Sequence, residues 1–197
     1  MTARNSLRRA PRQVRIIGGQ WKRSPLPVPE VEGLRPSPDR VRETLFNWLQ
    51  HLAPDTSSLR GLDLFAGTGA LGFELASRGA RSVLLVESNP RALEALRATR
   101  MRLAAAAVEV RAGDALGVAA TLPAATFDVV FLDPPFGAGL QDPALRAAQR
   151  LLAPQGLIYL EAPARLLPDE AAGYGLEIVR ASRAGTVSFH LLRPATA

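Results

Sequence analysis

The segment Asp63-Leu64-Phe65-Ala66-Gly67-Thr68-Gly69-Ala70-Leu71-Gly72 constrains the fold of this chain more than any other. Residues 62–66, apolar apart from Asp63, read as a buried strand, Gly67 and Gly69 allow a tight turn, and residues 70–76 have the composition of a helix start. Such a unit brings bare backbone N–H groups and a helix N-terminus to one point above a sheet edge, where the adenosyl end of a cofactor can approach without meeting a Cβ. Two cofactor classes fit that description. The spacing Gly67-x-Gly69-x-x-Gly72 matches the dinucleotide fingerprint, with Glu87 about 20 residues further on to bind ribose hydroxyls, and the same geometry serves S-adenosylmethionine. A helix packed closely on a strand through glycine, with no ligand at all, uses the same letters.

From this turn onward strands and helices alternate. Strands are expected ending near residue 65 and over 82–87, 108–111, 127–132 and 156–161, with helices over 70–78, 90–104, 115–121 and 144–152. Val83-Leu84-Leu85-Val86 is apolar on both faces, as a central parallel strand is, and Asn89 before Pro90 reads as a helix N-cap. Residues 176–180 and 186–192 are β-rich with little room between them, so they are expected to pair as an antiparallel hairpin. The fold class is therefore α/β, a mostly parallel sheet with helices on both faces.

Upstream, Ser37-Pro38-Asp39 reads as N-cap, first-turn proline and first-turn acid of a helix that turns Val41, Leu45, Trp48 and Leu49 to the core. Residues 14–17 and 20–22, either side of Gly18-Gly19, are expected to form a small hairpin, and the prolines at 25, 27, 29 and 36 make the next segment extended. The chain then divides into a disordered basic tail (residues 1–13), a basic hairpin with its linker (14–36) and a main domain (37–197).

Composition narrows the chemistry. The net charge of +6 comes almost wholly from arginine, Lys22 being the only lysine, and no acid precedes Glu30. That asymmetry points the N-terminal region toward a polyanion such as nucleic acid, although a solvated tail has the same composition. With no cysteine, and with His51 and His190 the only histidines, disulfides and thiolate catalysis are excluded and a zinc site or serine–histidine triad has too few parts. No apolar run reaches the roughly 18 residues a membrane span needs, so a cytoplasmic setting without membrane or metal is expected.

Candidate site residues gather in loops at the carboxyl ends of strands, where open α/β sheets bind ligands. Glu87 can accept from ribose hydroxyls, Asp114 from the adenine amine, and Asp63 can hold the turn N–H groups or a methionyl ammonium, although each acid taken singly can also be a helix cap. The loop Asp133-Pro134-Pro135-Phe136 decides between the cofactors. Its prolines stiffen the backbone and remove two donors, leaving carbonyl acceptors, an aspartate and an aromatic ring. That inventory suits a planar base bearing an exocyclic amine: Phe136 stacks, while Asp133 and the Pro134 carbonyl accept the amine hydrogens. Acceptors that favour a tetrahedral nitrogen free its lone pair to attack a methyl sulfonium, whereas hydride transfer has no use for this loop.

Asp133-Pro134-Pro135-Phe136 resembles the (Asn/Asp/Ser)-Pro-Pro-(Tyr/Phe) motif of amino methyltransferases. Together with Arg15-Ile-Ile-Gly-Gly-Gln-Trp21, Arg35-Pro-Ser-Pro-Asp-Arg-Val-Arg-Glu-Thr-Leu-Phe-Asn47 and the glycine turn, it makes the chain resemble the RsmD family, guanine-N2 methyltransferases of bacterial small-subunit ribosomal RNA. The resemblance spans residues 15–192 and implies a class I S-adenosylmethionine-dependent fold with a seven-stranded sheet. It implies cofactor contacts at Asp63, Phe65, Ala66, Gly67, Gly69, Glu87, Ser88, Asp114 and Ala115, and an amine site at Asp133, Pro134, Pro135 and Phe136. The implied partner is 16S ribosomal RNA in an assembled or partly assembled subunit, with the chain acting as a monomer. Arg15, Trp21, Lys22 and Arg23 are expected to hold RNA beside the pocket, and Arg35, Arg40 and Arg42 to border its entrance. Adenine N6, a protein glutamine, or RNA binding without catalysis are the alternatives.

Overall fold

The computed structural model describes residues 13–31, 34 and 36–195. Most of the expected tail, residues 1–12, and the expected RNA contact Arg35 lie outside the described residues. Seven strands form the central sheet: β3 (Arg60–Asp63), β4 (Ser82–Glu87), β5 (Val108–Ala112), β6 (Phe127–Leu132), β7 (Leu152–Ala162), β8 (Leu176–Ala184) and β9 (Val187–Pro194). Their order is β5-β4-β3-β6-β7-β9-β8, parallel from β5 to β7 and antiparallel from β7 through β9 to β8. The chain leaves β3 toward β4 and β5 on one side, then returns to β6 on the other. That reversal opens a crevice above the carboxyl ends of β3 and β6.

Six helices cover the two faces: α1 (Asp39–Leu52), α2 (Ala70–Ser77), α3 (Pro90–Arg102), α4 (Ala115–Thr121), α5 (Gln141–Leu151) and α6 (Pro168–Ala172). Because successive strand residues point to opposite faces, the central strands feed two cores. Val83, Leu85, Phe131 and Tyr159 pack beneath α1 and α2, while Leu84, Val86, Val130, Leu132, Ile158 and Leu160 pack beneath α4, α5 and α6. This explains why Val83-Leu84-Leu85-Val86 carries no polar alternation: neither face of β4 meets water. In α1, Val41, Leu45 and Leu49 face the core as their spacing requires, and Phe46 rests on the Phe131 ring with centroids 6.2 Å apart.

Two local expectations are corrected. The N-terminal hairpin pairs β1 (Gln13–Arg15) with β2 (Pro25–Pro27), not with residues 20–22, and places Val14 opposite Leu26. Residues 18–23 form the turn instead, because Gln20 N–H and Trp21 N–H donate to the Ser77 carbonyl and hydroxyl of α2 rather than across the hairpin. Ile16 and Leu26 are buried in the same core as α1, so the hairpin packs directly against the main domain. Ser37 does not cap α1. The capping position is Pro38, with no side-chain cap, because the Ser37 hydroxyl is drawn to the buried carboxylate of Glu161.

Candidate active site

The turn after β3 is built from backbone. Ala66 N–H donates to the Val86 carbonyl at 3.0 Å, and Gly69 N–H folds back on the Ala66 carbonyl at 2.6 Å. Gly67 has φ of +52°, in the left-handed region that favours glycine, and a Cβ there would also press on the tip of the Leu34 side chain, 2.7 Å away. Ala66, Gly67 and Gly69 are buried, and Phe65 is half-buried against the α4 side of the core. Glu87 ties this turn to the next loop: its carboxylate accepts from Gly67 N–H at 2.8 Å, Ser88 N–H at 2.9 Å and Asn89 N–H at 2.7 Å.

Strand register places the acids along one edge. Asp63 pairs with Leu85, two residues before Glu87; Glu87 pairs with Ala112, two before Asp114. Asp114 is exposed and caps α4, accepting from Gly117 N–H at 2.8 Å, so one carboxylate oxygen is committed to the helix and the other is free for a ligand. Ala115 is buried beneath it at the first position of α4. On the other side Asp63 pairs with Phe131, two residues before Asp133.

Asp63 is buried, and loss of hydration pushes its carboxyl up to about 7, aided by the charges of Glu87 and Glu161 and opposed by the backbone N–H groups of Gly72 and Phe65. Asp133 is half-buried; withdrawal from water, then the Glu161 and Asp63 charges, push its carboxyl well above the ordinary range. Pro134 is buried beneath the loop, Pro135 is exposed, and the Phe136 ring is 48% exposed, free to meet a planar partner.

Glu161 is the residue that the sequence reading missed. It follows Leu160, which pairs with Leu132, so it lies level with Asp133 on the neighbouring strand. It is buried, accepts from the Tyr159 hydroxyl at 2.8 Å and from the Ser37 hydroxyl, and burial raises its affinity for a proton while both hydroxyls lower it. An acid closing an apolar strand was the signal that singled out Asp63 and Glu87. Residues 156–161 carry the same signal.

The basic residues divide. Arg15 and Arg23 line a groove of about 600 Å³ between the hairpin and the start of α1, with Ser37, Pro38 and Asp39 opposite. The Arg15 guanidinium is largely exposed and pairs with Asp39 at 3.0 Å. Arg23, Arg40 and Lys22 are exposed, whereas Trp21 is half-buried against the core. Arg42 is fully buried and cannot border an RNA entrance: it bonds Asp39 at 2.7 Å and the Arg15 and Ser37 carbonyls. Its place on the inner face of α1 overrides the expectation drawn from charge alone. Among the described residues no group of His, Cys, Asp and Glu is arranged to hold a metal ion, and no helix is long and apolar enough to cross a membrane.

A sheet of this order, with a glycine turn after β3 and a proline loop after β6, has the architecture of the class I methyltransferases. The chain belongs to the family described as Conserved hypothetical protein 95, the RsmD family, whose model matches residues 14–193. It is 40% identical over 182 residues to Ribosomal RNA small subunit methyltransferase D of Escherichia coli K12, covering 91% of this chain and 89% of that protein. The protein of the same name from Haemophilus influenzae is 42% identical over 156 residues, covering 76% and 78%. Among solved structures, yhhF of Escherichia coli superposes with a TM-score of 0.79 at 38% identity, covering 93% of this chain and 99% of that one. A hypothetical protein from Thermus thermophilus gives 0.74 at 32% identity, covering 91% and 99%.

Proposed function

We propose that this chain transfers a methyl group from S-adenosylmethionine to the exocyclic N2 of a guanine in 16S ribosomal RNA, acting in the cytoplasm on an assembled or partly assembled small subunit. The observation that carries this reading is the arrangement of Asp133, Pro134, Pro135 and Phe136 in the loop that follows β6, the strand beside β3 and its glycine turn, with Asp63 and Asp133 two residues apart in register. The names of the Escherichia coli and Haemophilus influenzae relatives support the ribosomal substrate.

The residues fit the cofactor. Gly67 and Gly69 leave a backbone surface free of side chains, Glu87 stands at the end of β4 for ribose hydroxyls, and Asp114 keeps one oxygen for the adenine amine. A buried carboxyl held near 7 is suited to a cationic partner such as a methionyl ammonium, whose charge would draw Asp63 into its ionised form. S-adenosylmethionine supplies an electrophilic methyl group on a sulfonium. Phe136 stacks on the target base, and the Pro134 carbonyl and the Asp133 carboxylate accept the two amine hydrogens. With the nitrogen held pyramidal by these acceptors, its lone pair would be directed at the methyl carbon of the bound cofactor, whose sulfur would keep the electron pair of the C–S bond as the N–C bond formed. The surplus proton on nitrogen passes to Asp133, whose raised proton affinity favours that transfer.

The test is methyl transfer from labelled S-adenosylmethionine, with undermethylated small subunits, naked 16S RNA, duplex DNA and ribosomal protein as parallel acceptors, followed by nucleoside analysis. The expected product is N2-methylguanosine in 16S RNA. Label in N6-methyladenosine or in protein would reassign the substrate, and RNA binding without any labelled acceptor would favour an assembly factor.

A further inference from the structure

We propose that Glu74 is a positioning residue for the RNA substrate: from the helix that begins at the cofactor turn, it fixes the basic hairpin relative to the pocket. The proposal rests on the RNA-binding reading of the hairpin given above.

All eight residues of α2 are buried, and Glu74 lies in their midst with its side chain wholly out of water. A carboxylate in such a place is costly unless its charge and lone pairs are engaged. The groups that engage it come chiefly from the hairpin. Oε2 accepts from Ile17 N–H at 2.6 Å, and Oε1 accepts from Gly18 N–H at 2.8 Å and from Arg78 Nε at 2.8 Å, with Arg42 Nη1 3.9 Å away. Ser77, one turn further along α2, completes the grip. Its hydroxyl donates to the Gly18 carbonyl at 2.6 Å and accepts from Trp21 N–H at 3.0 Å, and its carbonyl accepts from Gln20 N–H at 2.8 Å.

Every one of these hairpin groups is backbone, so the charges of Lys22 and Arg23 are left exposed. Glu74 therefore contributes placement and no RNA contact. Since α2 follows directly on Gly69, its N-cap, and is about 12 Å long at 1.5 Å per residue, one short rigid element carries both the cofactor turn and the hairpin mount. The fit is close: Gly19 has φ of +75°, and a Cβ there would fall 1.9 Å from the Ser77 carbonyl oxygen.

The test compares Glu74→Gln and Gly19→Ala with the unmodified protein. Four quantities are measured: KM and kcat for undermethylated small subunits, Kd for S-adenosylhomocysteine, and amide exchange at Ile17 and Gly18 without RNA. Both variants are expected to exchange these amides faster and to raise KM roughly tenfold or more, the loss expected of charge-assisted hydrogen bonds, with kcat and cofactor Kd nearly unchanged. If Glu74→Gln does not fold, Gly19→Ala carries the test, because it pushes the hairpin off the end of α2 while leaving the Glu74 carboxylate in place. Faster exchange with unchanged KM would overturn the proposal, as would loss of cofactor binding in parallel with KM, which would make Glu74 a structural residue of α2. A third variant, Lys22→Ala with Arg23→Ala, keeps the mount and removes charge. If it leaves KM unchanged the RNA reading of the hairpin fails; if it raises KM while Gly19→Ala does not, only the positioning claim fails.

Discussion

Asp63, Asp133 and Glu161 lie at the ends of three neighbouring strands; the Glu161 charge raises the proton affinity of both aspartates, and the Asp63 charge raises that of Asp133. For Asp63 the consequence for stability has a definite sign. Folded, it holds its proton up to about 7, against 3.8 for an ordinary aspartate, so between those values the folded state binds more protons than the unfolded one. Stability then falls as pH rises across that window and is flat above it. Asp63→Asn removes the titration, so its stability should decline less between pH 4 and 7, with a gain approaching roughly 4 kcal/mol above it. Urea unfolding across this range checks the point, and parallel lines for the two proteins would contradict it. Asp133 makes a kinetic prediction. Glu161→Gln removes a neighbouring charge that raises the Asp133 proton affinity, so the acid limb of kcat/KM should move to lower pH. An unmoved limb would mean that Asp133 titrates independently of Glu161.

At the scale of elements, α1 joins the hairpin to the sheet edge that carries Asp133 and Glu161. Arg42 on its inner face holds the Arg15 carbonyl at 2.9 Å and the Ser37 carbonyl at 3.3 Å, while the Ser37 hydroxyl reaches Glu161. Replacing Arg42 by leucine would keep apolar volume but strip a cation from beside Glu74 and Asp39, both of which pair with it. A buried carboxylate left without its partner typically costs about 3–5 kcal/mol, so Arg42→Leu should lower the denaturation midpoint markedly. Little change would mean that Arg78, at 2.8 Å, neutralises Glu74 alone. The same element shows why charge was a poor guide in the sequence. Arg40 and Arg42 are two positions apart, yet one is exposed and the other has no contact with water, because two steps along a helix rotate a side chain by about 200°.

For the molecule as a whole, the parts legible in the sequence were those set by local rules. Apolar runs marked the strands, Asn89-Pro90 marked the start of α3, and the terminal β-rich segments marked the β8–β9 hairpin. What was not legible depends on partners distant in sequence. Ser37 has the letters of an N-cap, yet its hydroxyl serves a carboxylate 124 residues away. Residues 20–22 look like a returning strand, yet α2 takes the Gln20 and Trp21 donors, and Glu74 had no local sign of being a mount. Within the candidate site, Asp63, Glu87, Asp114 and Asp133 were singled out because they end strands at glycine or proline loops; Glu161 also closes an apolar run and has Pro163 two residues on, but its tie to Ser37, 124 residues away, has no local sign.

The central claim is that the loop after β6 performs methyl transfer to an exocyclic amine on RNA held by the rest of the chain. The measurement that tests it most directly is turnover and binding of Asp133→Ala on undermethylated small subunits, assayed in parallel with the unmodified protein. Transfer should fall by about 100-fold or more while Kd for S-adenosylhomocysteine and for RNA stays within the ordinary spread of surface variants. Undiminished transfer, or loss of RNA binding in place of turnover, would contradict the role given to Asp133.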